Sequence, residues 1–165
     1  MDLLVSSDGT ARFASRLCRC ALGRGGVSEA KREGDGTTPI GIWPLRRLLY
    51  RPDRLAPPPT GLPTVQIGRA DGWCDAPDDK NYNLPVILPY PASTEALWRA
   101  DGVYDLIVPL GYNDGPILPG RGSAIFLHLA RDGYLPTEGC VALAQDDLLA
   151  YLALATTESR VIITR

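Results

Sequence analysis

The sequence predicts a mainly β fold with one or two short helices, and three observations support this prediction. The 165-residue chain contains 17 Gly and 15 Pro, and these residues are spread along its length, so turns divide it into short segments. Runs rich in β-branched, aromatic and leucine residues lie between the turns. Apolar residues recur clearly at helical spacing in one segment alone.

Eight segments have the composition of strands and are bounded by Gly, Pro, Asp or Asn. In chain order they are residues 3–5, 12–15, 19–22, 41–45, 64–67, 104–110, 124–129 and 160–164. Their number and their shortness favour a β domain over a helical one.

The clearest helix is predicted over residues 145–155, where apolar residues follow helical spacing and acidic residues lie near the positive N-terminal end. The apolar residues are Leu148, Leu149, Leu152 and Ala155, and the acidic ones are Asp146 and Asp147. A second, shorter helix is expected over residues 93–99.

Long loops are expected over the proline-rich residues 52–63 and over the polar residues 71–83. The loop over residues 71–83 either carries function or covers a sheet edge.

Composition and charge exclude several classes of protein. The chain has 17 Lys+Arg against 19 Asp+Glu and 45% hydrophobic residues, so neither a nucleic-acid partner nor a disordered chain is expected. No run reaches the ~18 apolar residues that cross a bilayer, and residues 1–8 lack the basic start of a signal peptide. We therefore expect a single globular domain over residues 1–165, with no membrane span.

Histidine and cysteine usage narrows the chemistry. His128 is the only histidine, which excludes the common multi-histidine zinc sites, and the four cysteines show no C-x-x-C spacing. No metal and no cofactor are therefore expected. Cys18 and Cys20 share one face of a predicted strand and are most simply buried apolar groups. A disulfide with Cys74 remains open.

His128 and Cys140 are separated by a short connection that can return the chain to an adjacent strand. A thiol with an ordinary pKa near ~8.5 is mostly protonated at neutral pH, so a nucleophilic cysteine needs an imidazole beside it. Gly139 removes the side chain before the sulfur and leaves backbone N–H groups free to face an oxyanion. The alternative is that both residues are ordinary members of a strand core.

Three segments together resemble the YkuD-like L,D-transpeptidase catalytic domain. They are residues 26–41, 122–128 and 137–140. Within them, Thr38-Pro-Ile-Gly41 followed by Trp43 matches one family landmark, and His128 followed by Thr137-Glu-Gly-Cys140 matches the other. The resemblance covers nearly the whole chain, and it implies a mixed β-sandwich or barrel.

The resemblance also implies an activity. Cys140 would be the nucleophile, His128 the base, and Gly139 with the Cys140 N–H part of the oxyanion site. The enzyme would hold a peptidoglycan stem peptide as a thioester and pass it to a diaminopimelate amine, forming a cross-link. Water as acceptor would make it a stem-peptide hydrolase instead. The resemblance further implies a monomer of the cell envelope or periplasm that carbapenems would acylate, although residues 1–8 show no export signal.

The chain departs from the family pattern in its short His128–Cys140 connection and at two positions. Glu138 stands where many members have histidine, and it would orient His128, contact a substrate amine or remain solvated. Ala142 stands where many have Arg or Asn, so another cation is expected to bind the substrate carboxylate, with Arg121 as the candidate and a solvated arginine as the alternative. These departures suggest an atypical L-alanine–diaminopimelate linkage, or a wall-binding domain that has lost activity.

Four further residues are expected to bind substrate. Ser123 precedes His128 in one of the family-like segments, and Thr137 precedes Cys140 in the other. Tyr112 and Asn113 lie in a turn-forming segment that would reach the cleft rim. A plain hairpin turn explains Tyr112 and Asn113 equally well. A structural loop near the cleft is predicted for residues 31–39. They lack the Gly-Lys-Ser/Thr ending of a phosphate-binding loop.

Overall fold

A ten-stranded sheet dominates the computed structural model, which describes all residues from Met1 to Arg165. The first strands are β1 (Leu3–Ser6), β2 (Thr10–Phe13), β3 (Arg16–Ala21), β4 (Val27–Ser28), β5 (Thr38–Pro39), β6 (Gly41–Pro44), β7 (Leu48–Tyr50) and β8 (Thr64–Gln66). They are followed by β9 (Asp71–Cys74), β10 (Pro85–Ile87), β11 (Thr94–Ala96), β12 (Leu106–Pro109), β13 (Phe126–Leu129), β14 (Val141–Leu143) and β15 (Arg160–Thr164). The one α-helix, α1, spans Gln145–Leu152, and a single 3-10 turn spans Asp132–Tyr134.

The strand order of the large sheet is β6-β15-β1-β2-β3-β14-β13-β12-β7-β8. β13 lies near its middle, antiparallel to β12 on one side and parallel to β14 on the other. A three-stranded sheet, β10-β9-β11, and the short pair β4-β5 complete the fold. The mainly β class expected from the sequence is confirmed. No helix has the length and apolarity that a bilayer crossing requires.

Two hydrophobic clusters take alternate residues of the central strands. Leu127 of β13 belongs to a cluster of 23 buried residues, which also includes Leu148 and Tyr151 of α1. Its neighbour Phe126 belongs to a second cluster of 10 buried residues, together with Cys140. Because side chains alternate across a strand, His128 lies on the same face as Phe126. The larger cluster thus supports the sheet from one side, and the other side carries the chemical groups.

Several boundaries differ from the sequence prediction for local reasons. β15 has the predicted bounds, whereas β2 ends earlier because a turn with positive φ at Ala14 follows it. The helix predicted over 145–155 ends at Leu152. All four cysteines are free, so the disulfide left open for Cys74 is not formed.

The prediction of a second helix over residues 93–99 is wrong. Residues 94–96 form β11, whose Glu95 lies opposite Trp73 of β9. The backbone of the next residue, Leu97, donates to the carbonyl of Asp71, so this short segment satisfies its backbone groups by pairing with β9. The loop expected over residues 71–83 likewise begins as the strand β9.

Candidate active site

Cys140 and His128 line the same cleft, which has a volume of about 400 Å³. His128 is in β13, and Cys140 immediately precedes the parallel neighbour β14. The short connection therefore returns the chain to the adjacent strand, as the sequence predicted. The charged residues that line this cleft, called the Cys140 cleft below, are Lys31, Glu33, Asp75, Glu95, Arg99, Arg131 and Glu138.

The Cys140 thiol is 6% exposed and has two backbone contacts. Its Sγ donates to the carbonyl oxygen of Ala124 at 3.2 Å and accepts from the N–H of Phe126 at 3.4 Å. Burial, and then the nearby Glu95 carboxylate, raise the pKa of Cys140 to about 12, while the Phe126 N–H and the Lys31 ammonium oppose the rise. The resting site therefore holds a protonated thiol at neutral pH.

The His128 imidazole is oriented by the backbone. Its Nδ1 lies 2.9 Å from the carbonyl oxygen of Leu129, a contact that requires the proton on Nδ1 and leaves the lone pair of Nε2 free as an acceptor. Burial lowers the pKa of His128 to about 4. The ring also packs edge-to-face against Tyr104, with 5.2 Å between centroids. A neutral, fixed imidazole of this kind is equipped to accept a proton from a thiol.

Gly139 serves through its backbone conformation. Its φ is 136°, and a Cβ there would lie 2.7 Å from the carbonyl oxygen of Thr37, so a larger residue does not fit. The expectation of a free N–H at Gly139 is wrong, because this N–H donates to Thr137 Oγ1 at 3.1 Å. The Thr137 hydroxyl in turn donates to the Cys140 carbonyl at 2.7 Å. Thr137 lines the cleft and fixes the turn that carries the cysteine.

Ser123 also lines the cleft, but its hydroxyl already has a partner. Ser123 Oγ donates to Glu33 Oε2 at 2.7 Å, and the Tyr82 hydroxyl donates to the same carboxylate oxygen. Glu33 thereby joins the loop of residues 31–39 to two other segments. The structural loop near the cleft, expected from the sequence, is found there.

Glu138 forms an ion pair with Arg24, and both side chains are largely exposed, at 70% and 58%. Of the three alternatives that the sequence left open for Glu138, orientation of His128 finds no contact here, because Nδ1 of His128 contacts Leu129, whereas the large exposure of Glu138 agrees with a solvated side chain. Glu138 lines the cleft, so the expected contact with a substrate amine remains a hypothesis.

Arg121, Tyr112 and Asn113 lie outside the lining of the Cys140 cleft. The Tyr112 hydroxyl donates to the carbonyl of Arg121, and its ring packs edge-to-face against Trp43. The Asn113 amide donates to the carbonyls of Leu118 and Gly122. These contacts agree with the turn interpretation that the sequence left open for Tyr112 and Asn113.

Several cleft residues were missed by the sequence interpretation. Two arginines, Arg99 and Arg131, line the cleft, whereas the candidate Arg121 does not. Arg99 pairs with Asp101 at 2.5 Å, and Arg131 is exposed and has no ion-pair partner. Asp75 has a buried Oδ1 without a hydrogen-bond partner. The sequence could have pointed to Arg131, because it follows His128 by only three residues. Asp75 and Arg99 follow β9 and β11 of the three-stranded sheet, and their place in the cleft depends on how that sheet packs.

Comparison with protein families identifies one that matches nearly the whole chain. The YkuD model, described as L,D-transpeptidase catalytic domain, matches residues 2–163. An L,D-transpeptidase from Mycobacterium smegmatis matches structurally, with 12% sequence identity and a TM-score of 0.44; the match covers 99% of this chain and 58% of that one. This chain thus spans less than two thirds of that protein. No curated protein matches the sequence.

Proposed function

The chain belongs to the YkuD family of L,D-transpeptidase catalytic domains, and from that premise we propose that it cross-links peptidoglycan stem peptides through a thioester on Cys140. The observation that carries the proposal is the cleft shared by Cys140 and His128, in which the Nε2 atom of the only histidine is free to accept a proton. Residues 1–165 would form one catalytic domain that acts as a monomer in the periplasm or cell envelope.

The first step is acyl transfer to the sulfur. His128 Nε2 takes the proton of the Cys140 thiol as Sγ attacks a stem-peptide carbonyl, and a tetrahedral oxyanion forms. The C–N bond then breaks, and the leaving amine takes the proton from the imidazolium. Because the Gly139 N–H is engaged by Thr137, we assign the oxyanion contact to the Cys140 N–H, with Gly139 providing the conformation that presents it.

The second step releases the acyl group to a diaminopimelate amine of another stem. The neutral amine attacks the thioester carbonyl and loses a proton to His128, the C–S bond breaks, and the sulfur regains that proton. Water attack at this stage would give a hydrolysed stem instead. The buried, unpartnered Oδ1 of Asp75 and the carboxylate of Glu138 are suited to bind the ammonium form of the acceptor, which releases one proton to solvent before it attacks as the neutral amine.

Cations in the cleft are suited to a substrate carboxylate. Arg131 is unpaired and lines the cleft, so we assign it the role first sought at Arg121, with Arg99 as a second contact. A guanidinium binds a carboxylate through two parallel hydrogen bonds. The same cleft would admit a carbapenem, whose ring-opened carbonyl would remain on Cys140.

Product analysis tests this function. Purified muropeptides are incubated with the wild-type protein and with Cys140→Ala, and the products are resolved by mass. Cross-linked dimers that require Cys140 are expected, and fragmentation of the dimer distinguishes a diaminopimelate–diaminopimelate bond from an L-alanine–diaminopimelate bond. Shortened monomers alone would indicate a hydrolase. No product with unchanged muropeptide binding in both proteins would indicate a wall-binding domain.

A further inference from the structure

Lys31 is a buried lysine that the transfer mechanism above does not use. Its side chain is only 4% exposed, and it lines the Cys140 cleft. Lysine is almost never fully buried unless it is paired. Here the Nζ atom contacts Asp35 Oδ1 at 3.0 Å and, at 3.5 Å, the carbonyl of Arg32. A single, partly exposed carboxylate is thus the only ion-pair partner of this buried ammonium.

The Lys31 side chain passes between two glycines with positive φ. A Cβ on Gly122, where φ is 110°, would lie 2.9 Å from Lys31 Cε, and a Cβ on Gly139, where φ is 136°, would lie 3.2 Å from Lys31 Nζ. Both distances are shorter than ordinary van der Waals contacts, so a side chain at either position would crowd the end of the Lys31 side chain. Two glycines are therefore arranged around one lysine.

Both glycines adjoin the backbone that holds the sulfur. Gly139 immediately precedes Cys140, and Gly122 is two residues before Ala124, whose carbonyl accepts from the Cys140 thiol. The end of the Lys31 side chain consequently lies beside the turn that carries Cys140 and beside the segment whose Ala124 carbonyl contacts Sγ. A positive charge in this place interacts with any negative charge that forms on the sulfur.

We propose that the Lys31 ammonium stabilises the thiolate of Cys140 across Gly139 and thereby makes the buried sulfur available as a nucleophile. Lys31 acts through Cys140 without contacting substrate, so it is a positioning residue. The inference rests on the proposed function only in so far as Cys140 is the nucleophile, because the effect on the thiolate exists without any substrate.

Other charged and titratable groups face the sulfur from several elements. Glu95 on β11 and Glu138 on the cysteine turn raise the pKa of Cys140, whereas Lys31 lowers it. Asp35 competes with the sulfur for the ammonium. The same cleft is also lined by further titratable or charged groups, namely His128, Tyr104, Glu33, Asp75, Arg99 and Arg131. The lysine therefore offsets two carboxylates, and its removal should leave the Phe126 N–H as the remaining group that lowers the pKa of Cys140.

The test is the pH dependence of Cys140 alkylation by iodoacetamide, with each cysteine resolved by mass spectrometry of its peptide. Lys31→Met should slow Cys140 alkylation about tenfold at neutral pH and move its midpoint to higher pH. Lys31→Arg keeps the charge and should largely restore the profile. Arg32→Met removes a cation from the adjacent, exposed position and should leave the profile unchanged.

The outcomes separate this inference from the proposed function. An unchanged Cys140 profile in a folded Lys31→Met protein would overturn the inference, as would equal effects of Lys31→Met and Arg32→Met. If Lys31→Met does not fold, as judged by circular dichroism, Lys31→Gln retains an amide that can donate to Asp35 and provides the same comparison. Failure of the wild-type protein to convert muropeptides, with the Lys31 effect on alkylation intact, would reject the proposed function alone.

Discussion

The Nδ1 atom of His128 donates to the carbonyl oxygen of Leu129, the next residue in the chain, at 2.9 Å. A backbone carbonyl or a carboxylate commonly fixes the orientation of an imidazole, and here the acceptor is the carbonyl at the end of β13. The ring orientation therefore depends on the local backbone and not on Glu138, which pairs with Arg24. Mutations of Glu138 should consequently leave the imidazole in place.

Replacement of His128 by asparagine tests its role as the base. The Asn amide can still donate to Leu129, but nothing remains at the position of Nε2, so kcat should fall about 10²- to 10⁴-fold with KM changed little. Steady-state kinetics with muropeptides measure kcat and KM, and a thermal unfolding curve for each protein shows whether the variant is folded. A variant that retains wild-type kcat would exclude His128 as the base.

Burial of His128 also predicts a pH dependence of stability. Its pKa is about 4 in the folded protein against an ordinary 6.5, so between these values the unfolded chain binds a proton that the folded protein does not. The free energy of unfolding is therefore unaffected by this group above pH 6.5, and it decreases by about 3 kcal/mol as the pH falls toward 4. Urea unfolding at pH 7 and pH 4.5 should show a smaller loss in His128→Asn than in the wild type. An equal loss of unfolding free energy in the two proteins would contradict the lowered pKa of His128.

Gly139→Ala should be strongly destabilising. The positive φ of 136° and the carbonyl of Thr37, 2.7 Å from the added Cβ, should together cost more than about 2 kcal/mol. Gly120 is the matched control, since it also has a positive φ, 75°, but nothing lies within 4 Å of its Cβ; Gly120→Ala should cost only about 1 kcal/mol. Chemical denaturation measures both. Similar costs would mean that backbone strain alone acts at Gly139.

Two exposed arginines provide a paired test of substrate binding. Arg131 lines the Cys140 cleft and Arg121 does not, so Arg131→Gln should raise KM about tenfold and Arg121→Gln should not. The increase should disappear when the terminal carboxylate of the stem peptide is replaced by an amide. If Arg121→Gln produces the larger effect, the substrate lies on another surface.

Sequence and structure agree where the signal is local. β15 and the start of α1 follow from residue composition and periodicity. The pairing of the strand of His128 with the strand that follows Cys140 agrees with the short connection between these two residues. The residues missed, such as Glu95, are brought to the cleft by pairing between β9 and β11, which are distant from Cys140 in the chain. No local pattern in a three-residue strand predicts its partner, and so the electrostatics of the cleft require the three-dimensional structure.

Glu95 provides the last prediction, which opposes that for Lys31. Its carboxylate accepts from the Tyr104 hydroxyl at 2.6 Å and raises the pKa of Cys140. Glu95→Gln keeps an oxygen that can accept from Tyr104 but removes the charge, so the midpoint of Cys140 alkylation should move to lower pH and the rate at neutral pH should increase several-fold.

Combining Glu95→Gln with Lys31→Met should return the alkylation midpoint toward the wild-type value, because two opposing charges are removed together. Tyr104→Phe is the control, since it removes the hydrogen bond to Glu95 and leaves the carboxylate charge, and it should not lower the midpoint. A midpoint that moves up in Glu95→Gln would show that the carboxylate acts on Cys140 through structure and not through its charge.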